Sequence, residues 1–275
     1  MEIEDRLSTL GHSHRLAVFR LLMRRYPDFV PAGEIAEALN LKASTLSAQL
    51  SALMQVGLLR QSRKGTSVQY SVDMATVQET FDFLYLDCFR GRPDIHTNEA
   101  RTGADTNNGK FNVLFICVGN SARSIIAETL LRSLAPERFN VYSAGIKPFS
   151  ELNPIAVQLL KDKGMDVTPL RAKNTREFQT PDAPVMDFVF TVCDQAANEE
   201  CAAWQGQPIS AHWGLPDPVK VEGTDAEKAL AFQQTYAMLR HRIKAFQALP
   251  FETLDRIALQ KAVDDISKLT PEIDA

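Results

Sequence analysis

The chain has 275 residues, 45% hydrophobic and 23% charged, with a formal net charge of −4. That length suits about two domains, and the composition excludes disordered, collagen-like and low-complexity chains. No apolar run reaches the roughly 18 residues of a membrane span, the acidic start lacks a secretory h-region, and four cysteines then suit a reducing cytoplasm.

The spacing predicts a first helix near residues 5–25, carrying Leu7, Leu10, Leu16, Phe19, Leu22 and Met23, with Pro27 and Pro31 beyond it. A short helix over 33–39 and another from about Ser44 follow. Leu46, Leu50 and Leu53 recur at i, i+4 and i+7 and predict one buried face. Lys42, Ser44, Thr45, Ser47 and Gln49 lie off that face and are small or polar. Residues 57–72 predict a hairpin around Lys64-Gly65 with Arg63 and Lys64 at its tip. A last helix is expected over 74–89.

Helix, turn, helix and basic hairpin is the order of a winged helix-turn-helix. Residues 6–72 hold nine Lys/Arg against three acids, a basic segment in an acidic chain, which favours double-stranded DNA as a partner. The polar outer residues suit base edges in a major groove, and Arg63 and Lys64 suit phosphates. A solvated helix of an ordinary small α domain is the plain alternative.

Residues 91–110 contain one large apolar residue, Ile95, and read as a linker. They separate a first domain, 1–90, from a second, 111–250, where short β-rich runs alternate with helices as in a parallel α/β layer. Residues 251–275 predict a helical extension capping the second domain.

In 110–134, KFNVLFICVGNSARSIIAETLLRSL, a buried strand ends at Cys117, a turn follows, and an amphipathic helix begins. The amides of 118–123, including those of Gly119, Asn120, Ser121 and Ala122, can wrap one anion at a helix N-terminus. Arg123 brings a two-pronged donor to the same anion, and Ser124 can donate its hydroxyl to the sulfur. Cys117 is therefore the expected thiolate nucleophile. In FVFTVCDQAANEEC (188–201), Cys193 ends another buried strand and Cys201 lies across a short helical turn. Loops at the carboxyl ends of parallel strands gather at one edge, so Cys193 can approach Cys117. Extra thiols serve redox chemistry and are superfluous to phosphate hydrolysis. In AHWGLPDPVKVEG (211–223), Asp217 can protonate a departing oxygen. Trp213 reads as packing, and the role of His212 is left open.

GHSHRLAVFRLL, GEIAEALNLKASTLSAQLSALMQVGLL and SRKGTSVQYSV together resemble the ArsR family of small dimeric repressors over roughly 5–90. The resemblance implies a homodimer through the first and last helices, with 44–54 as the recognition helix. No Cys-x-Cys pair precedes the recognition helix, and the stretch at the end of the last helix, LDCFRGRPDIH, holds one cysteine, Cys88. Trivalent arsenic prefers three thiolates, so Cys88 reads more readily as buried or incidental than as a sensor. CVGNSARS, VCDQAANEEC and the Asp217-Pro218 pair resemble the low-molecular-weight tyrosine phosphatases, and more closely the thioredoxin-coupled arsenate reductases that share their fold. This second resemblance covers about 111–250.

It implies a four-stranded parallel sheet and a relay from Cys117 through Cys193 to Cys201. Thioredoxin is the implied electron donor, with no tightly bound cofactor. One branch of that family holds potassium near the loop. Asn120, Glu128 and Ser143 match its ligands, but the fourth position falls near Lys173-Asn174, where a lysine can replace the ion, so no metal is expected. The expected function is arsenate reduction fused to a DNA-binding regulator of arsenic resistance. A tyrosine phosphatase with a regulator, or an oxyanion-sensing transcription factor, stays open.

Overall fold

The computed structural model describes residues 3–90, 109–149, 151–199 and 204–270. They divide into two compact units, 1–99 and 100–275. Among the described residues, no helix is long and apolar enough to cross a membrane.

The first unit runs α1 (Ile3–Leu10), α2 (Ser13–Arg24), β1 (Val30–Pro31), α3 (Ala32–Ala38), α4 (Ala43–Gln55), β2 (Leu59–Lys64), β3 (Ser67–Val72) and α5 (Met74–Phe83). The single helix expected over 5–25 is thus two. Gly11 closes α1 with a bond from its N–H to Leu7 O, and His12 then turns extended to cap α2, its ring accepting from the His14 N–H. A local cap overrides the periodic apolar pattern here. The helix expected over 74–89 starts where predicted, since the Asp73 side chain accepts from the Thr76 N–H. It ends as a wider turn, Leu84–Cys88, with Phe89 N–H bonded to Leu84 O.

The wing is antiparallel, in strand order β1-β3-β2. β2 and β3 are joined by the two-residue turn Gly65-Thr66, whose glycine takes φ +62° as such turns require. The core of this unit gathers Leu21 and Leu22 from α2, Ile35 from α3, Leu46, Leu50 and Leu53 from α4, and Val72.

The second unit runs β4 (Phe111–Cys117), α6 (Arg123–Leu134), β5 (Phe139–Gly145), α7 (Pro154–Asp162), β6 (Phe188–Thr191), α8 (Asp194–Asn198), β7 (Ile209–His212), α9 (Asp225–Gln247) and α10 (Arg256–Ile266). All strand pairs are parallel, in order β5-β4-β6-β7. β4 reads FNVLFIC without polar alternation because a parallel sheet is covered on both faces, and Val113 to Cys117 are all buried. α6 meets the sheet and α9 and is buried from Arg123 to Leu131.

Phe188, Phe190, Trp213, Phe246 and Phe251 form one aromatic cluster, with Trp213 stacked on Phe190 at 4.1 Å. The Trp213 indole N–H donates to Val263 O, and Leu259, Val263 and Ile266 of α10 enter the same core. Asn153 caps α7 ahead of Pro154, and Thr224 with Glu227 forms a capping box on α9. The connections reverse direction about β4: β5 lies on one side of it and β6 on the other. Such a switch point opens a crevice at the carboxyl ends of the strands, where Cys117 and Cys193 lie.

Candidate active site

Cys117 ends β4 and is 3% exposed. Residues 118–122 then form the turn into α6. Its carbonyls are tied outward: Cys117 O accepts from Ile146 N–H, Val118 O from Lys147 N–H, Gly119 O from Phe149 N–H and Ser121 O from Asn153 N–H. In a trans peptide the C=O and the next N–H point in opposite directions. Holding four carbonyls against the segment after β5 therefore turns the amides of 118, 119, 120 and 122 the other way. The Asn120 N–H points at Cys117 Sγ, 3.2 Å away.

This packing is close. A Cβ on Gly145, at the end of β5, would lie 2.5 Å from Val118 O and 3.0 Å from Asn120 N, so only glycine lets that strand end reach the turn. Gly119 lies against the exposed ring of Phe149.

Asn120 takes φ +48°, a left-handed conformation that asparagine tolerates better than most residues. Its side chain organises the site. Oδ1 accepts from the Lys173 N–H at 2.7 Å, and Nδ2 donates to Ser124 Oγ at 2.9 Å and Ser143 Oγ at 2.8 Å. Ser124 Oγ lies 3.0 Å from Cys117 Sγ. Because that oxygen already accepts from Asn120, its proton is available to the sulfur. Ser143 in turn donates to Glu128 Oε2. Lys173 Nζ lies 3.0 Å from the same oxygen, and Arg132 holds Oε1 at 3.0 Å. An ammonium thus sits on the carboxylate where the family resemblance puts potassium in one branch.

Arg123 is 7% exposed. Its guanidinium donates to Leu215 O at 2.9 Å and to Asp217 Oδ2 at 2.7 Å. Asp217 Oδ1 accepts from the Val219 N–H and starts a short 3-10 turn, Pro218–Lys220. The expected arginine and acid are therefore partners across the mouth of the turn. The residues after Asp217-Pro218 are aliphatic and basic. The exposed aromatic ring beside the turn comes instead from Phe149, which the reading of the sequence missed.

β6 runs beside β4, and Val192 N–H bonds Ile116 O one step further on. That places Cys193 next to Cys117. Cys193 is 2% exposed. Burial pushes its thiol up to about 11. The charge at Cys117 adds to this, while Arg123 and the amides of Ala196 and Val118 oppose it. Cys201 lies outside the described residues, as does most of the linker expected over 91–110.

In the first unit Leu46, Leu50 and Leu53 face inward, as the spacing predicts. Lys42, Ser44 and Ser47 are exposed, and Thr45 and Gln49 half-buried. Arg63 and Lys64 are exposed at the wing tip. Cys88 is exposed, which removes the buried reading of that thiol.

Inward amides around a thiol, at the switch point of a parallel sheet, define a phosphatase-like cysteine protein of the α/β class. The model described as Low molecular weight phosphotyrosine protein phosphatase matches residues 112–260, more than half of the chain, and the chain belongs to that family. A helix-turn-helix domain model matches 10–62, so two domain types are joined in one chain. Among curated relatives, an arsenate reductase of Bacillus licheniformis is 37% identical over 138 residues, covering 50% of this chain and 95% of the relative. One of Bacillus subtilis is 33% identical over 137 residues, covering 49% and 93%. A solved thioredoxin-dependent arsenate reductase of Corynebacterium glutamicum aligns at 21% identity and TM-score 0.40, over 78% of this chain and 94% of that one.

Proposed function

We propose that the second unit reduces arsenate to arsenite with thiol electrons, and that the first is a DNA-binding transcriptional regulator in arsenic resistance. The observation that carries this reading is the second buried thiol: Cys193 stands beside Cys117 and faces the Val118 amide, and oxyanion hydrolysis has no use for it.

Arsenate, or a phosphate-like oxyanion, binds the amides of 118–123, with Gly119, Asn120, Ser121 and Ala122 lining the loop and Arg123 turning its fork from Leu215 and Asp217 to the anion. Ser124 steadies the thiolate. Cys117 sulfur bonds to arsenic as one oxygen leaves as water, with its proton supplied by Asp217. Cys193 then attacks Cys117 sulfur. An S–S bond forms, the As–S bond breaks, and its electron pair stays on arsenic, reducing it from As(V) to As(III). Cys201 attacks Cys193, freeing Cys117 and moving the disulfide to Cys193–Cys201. Thioredoxin, the cytoplasmic dithiol, reduces it. The exposed ring of Phe149 against Gly119 favours a residual phosphatase activity on aryl phosphates as a second reading.

In the first unit, α4 enters a major groove with Lys42, Ser44, Thr45, Ser47 and Gln49, and Arg63 and Lys64 meet phosphates. Leu7 of α1, Leu16 of α2, Phe81 of α5, and Leu86 and Phe89 in and just after the wider turn that follows it leave exposed apolar surface at the two ends of the unit's sequence, which suits a homodimer.

The test is NADPH oxidation with thioredoxin, thioredoxin reductase and arsenate. Wild type turns over and Cys193→Ala does not, while slow hydrolysis of an aryl phosphate survives in the variant. Arsenate turnover by Cys193→Ala sinks the relay.

A further inference from the structure

His212 ends β7 and is 1% exposed. Its Nδ1 lies 2.8 Å from Thr191 Oγ1, and its Nε2 lies 3.1 Å from Asp194 Oδ1. Thr191 is the last residue of β6, two before Cys193, and Asp194 is the first residue of α8, one after it. One buried ring therefore grips the chain on both sides of the second thiol. Thr191 and His212 are also register partners in the sheet, so β-pairing sets the ring beside Thr191, and its Nε2 side reaches across to Asp194.

Room for that reach depends on Gly214. A Cβ there would lie 2.5 Å from His212 Nε2 and 2.7 Å from Asp194 Oδ1. A side chain at 214 and the histidine–aspartate contact exclude one another.

We propose that His212 is a positioning residue of the thiol relay, holding the backbone of Cys193 so that its sulfur meets Cys117. It touches neither the oxyanion nor a reacting sulfur. It acts by spanning from Thr191 to Asp194, while Cys193 is the point where β6 gives way to α8. Burial alone does not aim a thiol: the amides of Ala196 and Val118 face the Cys193 sulfur, and that geometry holds only while the backbone on either side of Cys193 is fixed. An in-line attack of sulfur on sulfur tolerates little misplacement. This inference rests on the arsenate-reducing reading above.

The experiment uses the full chain with arsenate, thioredoxin, thioredoxin reductase and NADPH. Asparagine at 212 keeps a polar atom near Nδ1 and loses the reach to Asp194, whereas glutamine reaches the Nε2 position. His212→Asn, Asp194→Ala and Gly214→Ala are each expected to lower kcat about tenfold to a hundredfold with KM for arsenate unchanged, and His212→Gln to recover most of the loss. Arsenate protection of Cys117 against alkylation reads the anion site in each variant and is expected to stay as in wild type. Loss of that protection together with kcat would make His212 a fold residue and overturn the proposal. So would His212→Asn turning over like wild type while Cys193→Ala is inactive. Arsenate turnover by Cys193→Ala would overturn the underlying relay, and this role with it, and is told apart by that one variant.

Discussion

At the residue scale, Cys193 combines two demands. In the proposed relay it must be close to Cys117 yet stay quiet until that sulfur carries arsenic. Burial meets the second demand by raising the thiol from an ordinary 9.0 to about 11, so the resting residue keeps its proton at neutral pH. The same shift links it to stability. A group raised in the folded state contributes fully below its unfolded value and loses that contribution as pH rises through the folded one. Wild type is therefore expected to lose about 1–3 kcal/mol between roughly pH 9 and pH 11 that Cys193→Ala does not lose. Urea unfolding of both proteins at four pH values measures the difference, and parallel curves would refute it.

At the element scale, α4 separates by face its packing and the groove contact proposed for it. Leu50 is in the core of its unit, and Leu50→Ala is expected to cost about 2–5 kcal/mol and to remove DNA binding along with the fold. Ser47 is exposed, and Ser47→Ala is expected to leave the melting temperature in place while weakening operator binding. Lys64→Ala is expected to lower the salt slope of binding by about one. Circular dichroism melts and binding titrations at several salt concentrations check all three. α4 was legible in the sequence because its leucine spacing is local. The turn from Cys117 to Ser124 was legible for the same reason, its thiol, amides, arginine and hydroxyl being contiguous. What surrounds that turn was not. Ser143, Lys173 and Phe149 reach it through strand order and loop packing, which spacing does not reveal. His212 was visible as a residue, but its grip on Asp194 depends on β7 lying beside β6. The break between α1 and α2 was missed because a cap at His12 outweighed a run of apolar residues on either side.

At the scale of the whole molecule, each unit has its own hydrophobic core among the described residues. Residues 109–275 expressed alone are expected to unfold cooperatively and to reduce arsenate at the rate of the full chain, and calorimetry of the full chain is expected to give two transitions. A single transition, or a fragment that does not fold, would show that the cores depend on each other. A further consequence lies in the tethered carbonyls of the turn after Cys117. Since four of the amides are aimed by main-chain bonds and the Asn120 side chain holds the rest of the turn, the anion seat is set by the fold itself. Such a seat measures size and tetrahedral geometry, which phosphate shares with arsenate. Under the proposed function, selectivity arises after binding: phosphorus does not accept the electron pair that arsenic takes, so phosphate is expected to occupy the seat and leave unchanged, as a competitive inhibitor whose abundance sets the arsenate level at which reduction begins.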